Sequence, residues 1–401
     1  MIYRHWDFDS VTFSNHKMSE TGSGLVEVTT EGKATIRINL NHPVRLAHGY
    51  LDVIGKSASG LTMSARGMMT NVTFGTSAAV QIRPLDIFIF EKGISEVCPF
   101  DETSWHLKNA KVLLGPHTET IDGYSVTLES LIGATASHSQ LEGEISTLLK
   151  SKVTNATSIV LSEFQDNLCR LLSLAQRCPT PPVIKEFFVA GKLAFTQISE
   201  QTWDYIALRP LVDCYARDIL LFLKAVHPAF NQQKTSYGLV TLLEYYWRSH
   251  VENTAEVKFL FASIFMETLK FNWAANVSTF LDKDIKANGL VRGFRPKGAP
   301  KNAKNLNFET LLDETAAHLG YPKKVFTFID DRNCIFHSGL SSAAQTSNPS
   351  SWLIIRPELQ KLYNQIDDLL LRILNFTGVI FEVDLSVGQK KVAFPSRSPL
   401  P

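Results

Sequence analysis

Ala34-Thr35-Ile36-Arg37-Ile38-Asn39-Leu40 alternates apolar and polar side chains, the period of a strand with one buried face. Glu31-Gly32 before it is a turn signal. Working outward, Leu25-Val26-Glu27-Val28-Thr29-Thr30, Leu85-Asp86-Ile87-Phe88-Ile89-Phe90 and Tyr124-Ser125-Val126-Thr127-Leu128 are also β-branched or alternating, the last preceded by Asp122-Gly123. Strand follows strand without helical patterns between them. This predicts an antiparallel sandwich or barrel-like domain over residues 1–155 and excludes a doubly wound nucleotide-binding fold.

The pattern changes near residue 155. Ser158–Gln176 places apolar residues at helical spacing, and Cys178-Pro179-Thr180-Pro181-Pro182 stops it. Residues 184–189 read as one more strand. Helices are then predicted at 211–229, 237–250, 255–275, 308–319, 323–337 and 358–376, the last following Pro357 and ended by Thr377-Gly378. Residues 379–385 suit a strand, and 396–401 a disordered tail. The expected class is α+β multidomain: a β-rich N-terminal domain (1–155), a helical connecting region (156–236), an all-α C-terminal helical bundle (237–380) and a tail (381–401).

A chain of 401 residues exceeds one ordinary core, and 44% hydrophobic with 20% charged residues is the balance of a folded protein. Forty Lys+Arg against 39 Asp+Glu leave a net charge of +1, so any nucleic-acid contact must be a local patch. No apolar run is long enough to span a bilayer, and the opening MIYRHWDFDS has no apolar signal core, so no membrane partner and no secretion are expected. Five cysteines without a CxxC pair fit a reducing cytoplasm and argue against a zinc site or disulfide framework; no metal and no cofactor are expected. Gly55-Lys56-Ser57 lacks the earlier glycine of a phosphate loop, and no HExxH or GxSxG is present.

Residues 286–304, KANGLVRGFRPKGAPKNAK, carry Lys286, Arg292, Arg295, Lys297, Lys301 and Lys304 with no acid. Glycines and prolines preclude a long helix there, so a loop is predicted. Its cations neutralise phosphates and Phe294 offers one stacking face, a pattern suited to single-stranded RNA; a solvated surface loop is the plainer alternative.

The most informative stretch is Ile329-Asp330-Asp331-Arg332-Asn333-Cys334-Ile335-Phe336-His337-Ser338-Gly339. Histidine moves protons at neutral pH, and arginine holds phosphate oxygens through parallel hydrogen bonds. Such a pair cleaves RNA without metal. The imidazole takes the ribose 2′-OH proton, the oxygen attacks phosphorus, and the guanidinium stabilises the developing charge. Asn333 and His337, four apart, share a helix face. Arg332 and His337, five apart at about 100° per residue, do not. Either the helix begins inside the motif, or two copies meet across a two-fold interface to complete the site. Plainer readings pair Arg332 with Asp330 or Asp331, make Glu267, a carboxylate in an apolar helix, a structural partner of Arg332 or another cation, and leave His337 as a helix-end histidine.

Arg332-Asn333-Cys334-Ile335-Phe336-His337 resembles the R-N-x3-H signature of HEPN domains, a helical superfamily rich in metal-independent ribonucleases. Glu267, in Phe261-Ala262-Ser263-Ile264-Phe265-Met266-Glu267-Thr268-Leu269, resembles the acidic residue that many of these domains carry on an earlier helix. The resemblance spans about residues 237–376. The order of a β-rich domain, the segment 168–175 and a C-terminal HEPN domain also resembles the ApeA type of anti-phage protein. These resemblances imply an endoribonuclease with catalytic residues Arg332, Asn333, His337 and Glu267. They also imply an RNA substrate such as tRNA, a homodimer, a toxin-like role in abortive infection, and a phage-derived trigger sensed by the N-terminal domain. The competing expectation is a non-catalytic dimer that binds RNA or protein through residues 286–304.

Overall fold

The computed structural model describes residues 1–44, 49–73, 78–91, 99–132, 143–200, 209–252, 254–300, 302–322, 326–330, 332–333, 351–384 and 388–394. The chain forms two compact units: residues 1–207 with 214–221, and residues 208–213 with 222–401.

In the first unit six antiparallel strands close into a barrel: β1 (Ile2–Asn15), β2 (Met18–Thr29), β3 (Ala34–Leu40), β4 (Tyr50–Lys56), β5 (Thr62–Thr73) and β6 (Ala78–Phe90). Their order is β3-β2-β1-β4-β5-β6, and β3 pairs back with β6. The closing strand is the alternating stretch read first in the sequence. Ala34, Ile36, Ile38 and Leu40 are buried, whereas Arg37 and Asn39 face out. Ile36 stands opposite Ile82, and Ile38 opposite Val80. Phe8, Phe13, Val26, Val53 and Met63 join them in one buried cluster. Closure removes the edge strands that an open sheet would expose.

β6 changes partner midway. Residues 78–82 pair with β3, and residues 86–90 with β12 (Lys192–Ser199). Pro84, with no N–H to leave unpaired, lies at the change. Opposite it on β5 is Gly67, where an added Cβ would stand 2.4 Å from the Arg83 carbonyl oxygen. Beyond β12 the sheet continues through β11 (Pro182–Val189), β7 (Phe100–Lys108), β10 (Ile145–Ala156), β9 (Tyr124–Ser130) and β8 (His117–Ile121). Helix α1 (Ser158–Gln176) packs beside β10. Phe164 stacks on Tyr124 at 3.9 Å, and Asp166 accepts from Lys185 at 3.3 Å. Strands thus continue to Ser199, through the segment read as a helical connection.

The unit boundary falls within α2 (Ala216–Gln233). The second unit then holds α3 (Leu239–Val251), α4 (Ala255–Asn276), α5 (Phe308–His318) and α6 (Ser351–Ile373). Its core includes Leu242, Phe265, Leu269, Trp273, Ile366 and Leu370. Inside it Tyr246 donates to Asp367 at 2.7 Å.

This unit is not an all-α bundle, which corrects the fold expected from the sequence. Two antiparallel hairpins interrupt the helices: β13 (Leu281–Ile285) with β14 (Val291–Pro296), and β15 (Gly378–Asp384) with β16 (Gly388–Phe394). The glycines that exclude a helix at 286–304 serve a hairpin turn. Gly289 has φ +81°, and its N–H donates to the Lys286 carbonyl at 2.9 Å. β16 lies in the segment read as tail, where Lys390 and Lys391 mask a strand supported by cross-strand pairing. Pro357 also proved weaker punctuation than expected. Pro228 lies inside α2 and Pro357 inside α6, each withholding one donor from the ladder without ending the helix. α6 ends instead at Asn375 (φ +51°), with Phe376 N–H donating to the Leu371 carbonyl at 2.9 Å. Among the described residues no helix is long and apolar enough to cross a membrane.

Candidate active site

α4 opens at Thr254, whose hydroxyl accepts from Val257 N–H at 3.4 Å. Its long apolar body is buried, but Glu267, Lys270 and Phe271 stand three and four residues apart on one face. α5 opens at Asn307, whose side chain accepts from Thr310 N–H at 2.8 Å, and its first residue is Phe308. Phe328, 1% exposed, packs edge-on against Phe259, Phe308 and Phe326. Arg332 N–H donates to the Phe328 carbonyl at 2.9 Å, so the backbone is already helical when it reaches the arginine. An aromatic anchor therefore fixes Arg332 one turn further on.

Three of the described residues hold the guanidinium. Nη2 donates to Glu267 Oε2 at 3.0 Å, Nη1 donates to Asn333 Oδ1 at 2.8 Å, and Cζ lies 4.5 Å from the Phe308 ring centroid. Glu267 receives a second cation, as Lys270 Nζ donates to Oε1 at 2.8 Å. Lys270 also faces the Phe308 ring at 5.1 Å. The Arg332 side chain is 20% exposed and Glu267 41%, so solvent and ligands reach the cluster. Both groups come from distant parts of the sequence, and pairing them needs the tertiary fold.

Three of the four expected catalytic residues, Glu267, Arg332 and Asn333, are therefore together. The fourth, His337, lies outside the described residues, as do Asp331 and most of the helix read at 323–337. The arginine pairs across 65 residues with Glu267, the carboxylate of the apolar helix. Lys270 and Phe308 were not singled out in the sequence. Lysine three residues after Glu267 in an apolar helix is a legible signal. Phe308 has none, because only folding brings it under the arginine.

The basic segment is the β13–β14 hairpin and the stretch leading to α5, not an open loop. Lys286, Arg292, Lys297 and Lys304 are exposed and Arg295 is half-buried opposite Asp282; Lys301 lies outside the described residues. Phe294 is 2% exposed and meets Phe271 edge-on at 5.4 Å, so it anchors the hairpin on α4 and offers no stacking face. That corrects its expected role. Phe271 follows Glu267 by one helical turn, so the cationic hairpin and the Arg332 cluster are seated on neighbouring turns of one helix. Asp284 accepts from Asn305 at 2.9 Å, and Asp282 from Gly298 N–H at 3.2 Å, which ties the hairpin's acids to its own frame.

Other histidines of the described residues pack within the fold. His250 Nδ1 lies 2.9 Å from the Tyr246 carbonyl and its ring stacks on Tyr363 at 4.2 Å; Tyr246 itself is fully buried. His318 sits beside Trp273, and burial lowers its pKa. In the first unit, His106 bridges Tyr3 Oη (2.7 Å) and Glu186 Oε2 (2.8 Å), while Arg4 also donates to Glu186. Burial alone would raise the Glu186 pKa, but His106 and Arg4 outweigh it and hold the carboxyl below its ordinary value. This clasp fastens the start of β1 to β7 and β11.

The chain matches no protein-family model, no curated protein and no solved structure.

Proposed function

We propose that this chain is a metal-independent endoribonuclease of the HEPN kind. The observation that carries the reading is the seating of Arg332. Glu267, Asn333 and the Phe308 face hold its guanidinium partly buried, one helical turn from a hairpin bearing exposed cations. A guanidinium so fixed meets a phosphate without reorganising, the condition under which electrostatic stabilisation is strongest. The hairpin cations follow the RNA backbone. His337 removes the 2′-OH proton and the 2′-oxygen attacks phosphorus. The bond to the 5′-oxygen breaks, that oxygen takes a proton from water, and a 2′,3′-cyclic phosphate and a 5′-hydroxyl result. Two copies form the working dimer and RNA, tRNA among the candidates, is the substrate. The first unit senses a trigger, a phage-derived protein in the defence reading, and the setting is cytoplasmic. The motif's resemblance supports the dimer, the order of segments along the chain supports the tRNA, trigger and defence points, and the cysteine usage supports the setting.

One observation favours a second reading. Glu267 already pairs with Arg332, as it would in a non-catalytic module that binds RNA or protein through its hairpin. Replacing His337 separates the two. On the ribonuclease reading H337A leaves RNA binding within about twofold and abolishes cleavage, whereas the wild type cuts in EDTA and leaves a cyclic phosphate. Equal cleavage by H337A and wild type rejects His337 as base, and strict metal dependence rejects the mechanism.

A further inference from the structure

Lys270 is 6% exposed, and an ammonium at that depth is costly unless it is paired. It donates to Glu267 Oε1, while Arg332 donates to Oε2 of the same carboxylate. One oxygen therefore serves each cation, and both cations face the same ring, at 5.1 Å and 4.5 Å from its centroid. Of the three charged groups Lys270 is the most deeply held, at 8% side-chain exposure against 20% for Arg332 and 41% for Glu267.

We infer that Lys270 is a positioning residue for Arg332, acting through Glu267. Its ammonium fixes the carboxylate, and the carboxylate fixes the guanidinium. It also sets the charge. Glu267 alone would cancel Arg332, but the three described groups, Arg332, Lys270 and Glu267, sum to one positive charge toward an approaching anion. On the ribonuclease reading, on which the role in catalysis rests, that surplus charge meets the phosphate. Removing Lys270 lets the carboxylate turn toward solvent and leaves Asn333 and the Phe308 ring as the remaining hold on Arg332.

The test uses the purified full-length chain as wild type, K270M, K270R and F308L, with folding checked by circular dichroism and thermal unfolding. The first readout does not involve RNA: the rate at which phenylglyoxal, an arginine-selective reagent, modifies Arg332, followed by mass spectrometry. K270M is expected to speed modification several-fold, K270R to restore the wild-type rate and F308L to give an intermediate one, because it loosens the stacking but leaves the charges. The second readout is RNA cleavage. K270M is expected to lower kcat about tenfold with KM changed less than about twofold, and K270R to recover most of it. A merely structural lysine would move stability without that split. An unchanged or slower modification rate in K270M overturns the inference. So does an unchanged kcat in a chain that cleaves. If the wild type does not cleave RNA, the ribonuclease reading falls, and the modification rates still decide whether Lys270 seats Arg332. Should K270M fail to fold, K270Q decides by the same rates.

Discussion

A single guanidinium touches an acid, an amide and an aromatic ring, and each contact has its own consequence. R332A removes the donor to the developing phosphate charge and is expected to slow RNA cleavage by about 3 kcal/mol, more than a hundredfold, with wild-type folding. R332K keeps the charge but loses the planar fork, so it should recover only part of the rate in single-turnover assays. In the first unit, Glu186 supplies a pH dependence of a different kind. Its folded-state pKa lies below its unfolded value, so its contribution to stability is complete above the unfolded pKa of about 4.3. That contribution is lost as pH falls through the lower, folded value. Urea unfolding from pH 7 downward should therefore show stability falling in the acid range, and E186Q should flatten that slope while costing about 1–3 kcal/mol at neutral pH.

The β13–β14 hairpin separates anchoring from contact. Phe294 holds it on α4, and Arg292, Lys286 and Lys297 stand in solvent. Replacing Arg292, Arg295 and Lys297 with alanine is expected to weaken RNA binding evenly across sequences and to reduce the dependence of log affinity on log salt by about one unit per lost phosphate contact. Equal salt slopes in wild type and triple variant would place the contact elsewhere. The barrel has its own sensitive element, the crossing of β5 and β6 at Gly67 and Pro84. A methyl group there meets backbone atoms, with the Arg83 carbonyl oxygen at 2.4 Å and Pro84 Cα at 2.7 Å. G67A should therefore destabilise the chain by about 1–3 kcal/mol in chemical unfolding, since neither atom can rotate away as a side chain would.

For the whole chain, near-neutrality and a site assembled from short segments make association the deciding step. A net charge of +1 provides little long-range steering of nucleic acid. Productive binding must come from the local cations and from the second copy that the proposed mechanism requires. The specific activity of the purified chain is expected to rise with protein concentration and to level off as sedimentation reports a dimer. A constant specific activity over a range in which the chain is monomeric would remove the dimer from the mechanism.

Period and turn chemistry are local, which is why they could be read directly. The alternation of Ala34–Leu40 set which side chains face the barrel core, and the apolar spacing of Ser158–Gln176 set α1, because each is decided by neighbours within a few residues. The hairpins at Leu281–Pro296 and Gly378–Phe394 were legible only in part. A lysine-rich strand or a glycine-rich turn is stabilised by its partner strand, and sequence pattern does not show the partner. Of the candidate site, Glu267, Arg332 and Asn333 were visible in the sequence, and a carboxylate in an apolar helix already called for a cation such as Arg332, but the geometry that unites them was not. The ion pair between α4 and the arginine, the ring of Phe308 beneath it and the second cation from Lys270 exist only because aromatic packing around Phe328 brings distant segments to one point. Sequence alone determined which groups were available for chemistry. Tertiary structure decided which of them meet, since a charge at partial burial is tolerated only where folding delivers its counter-charge.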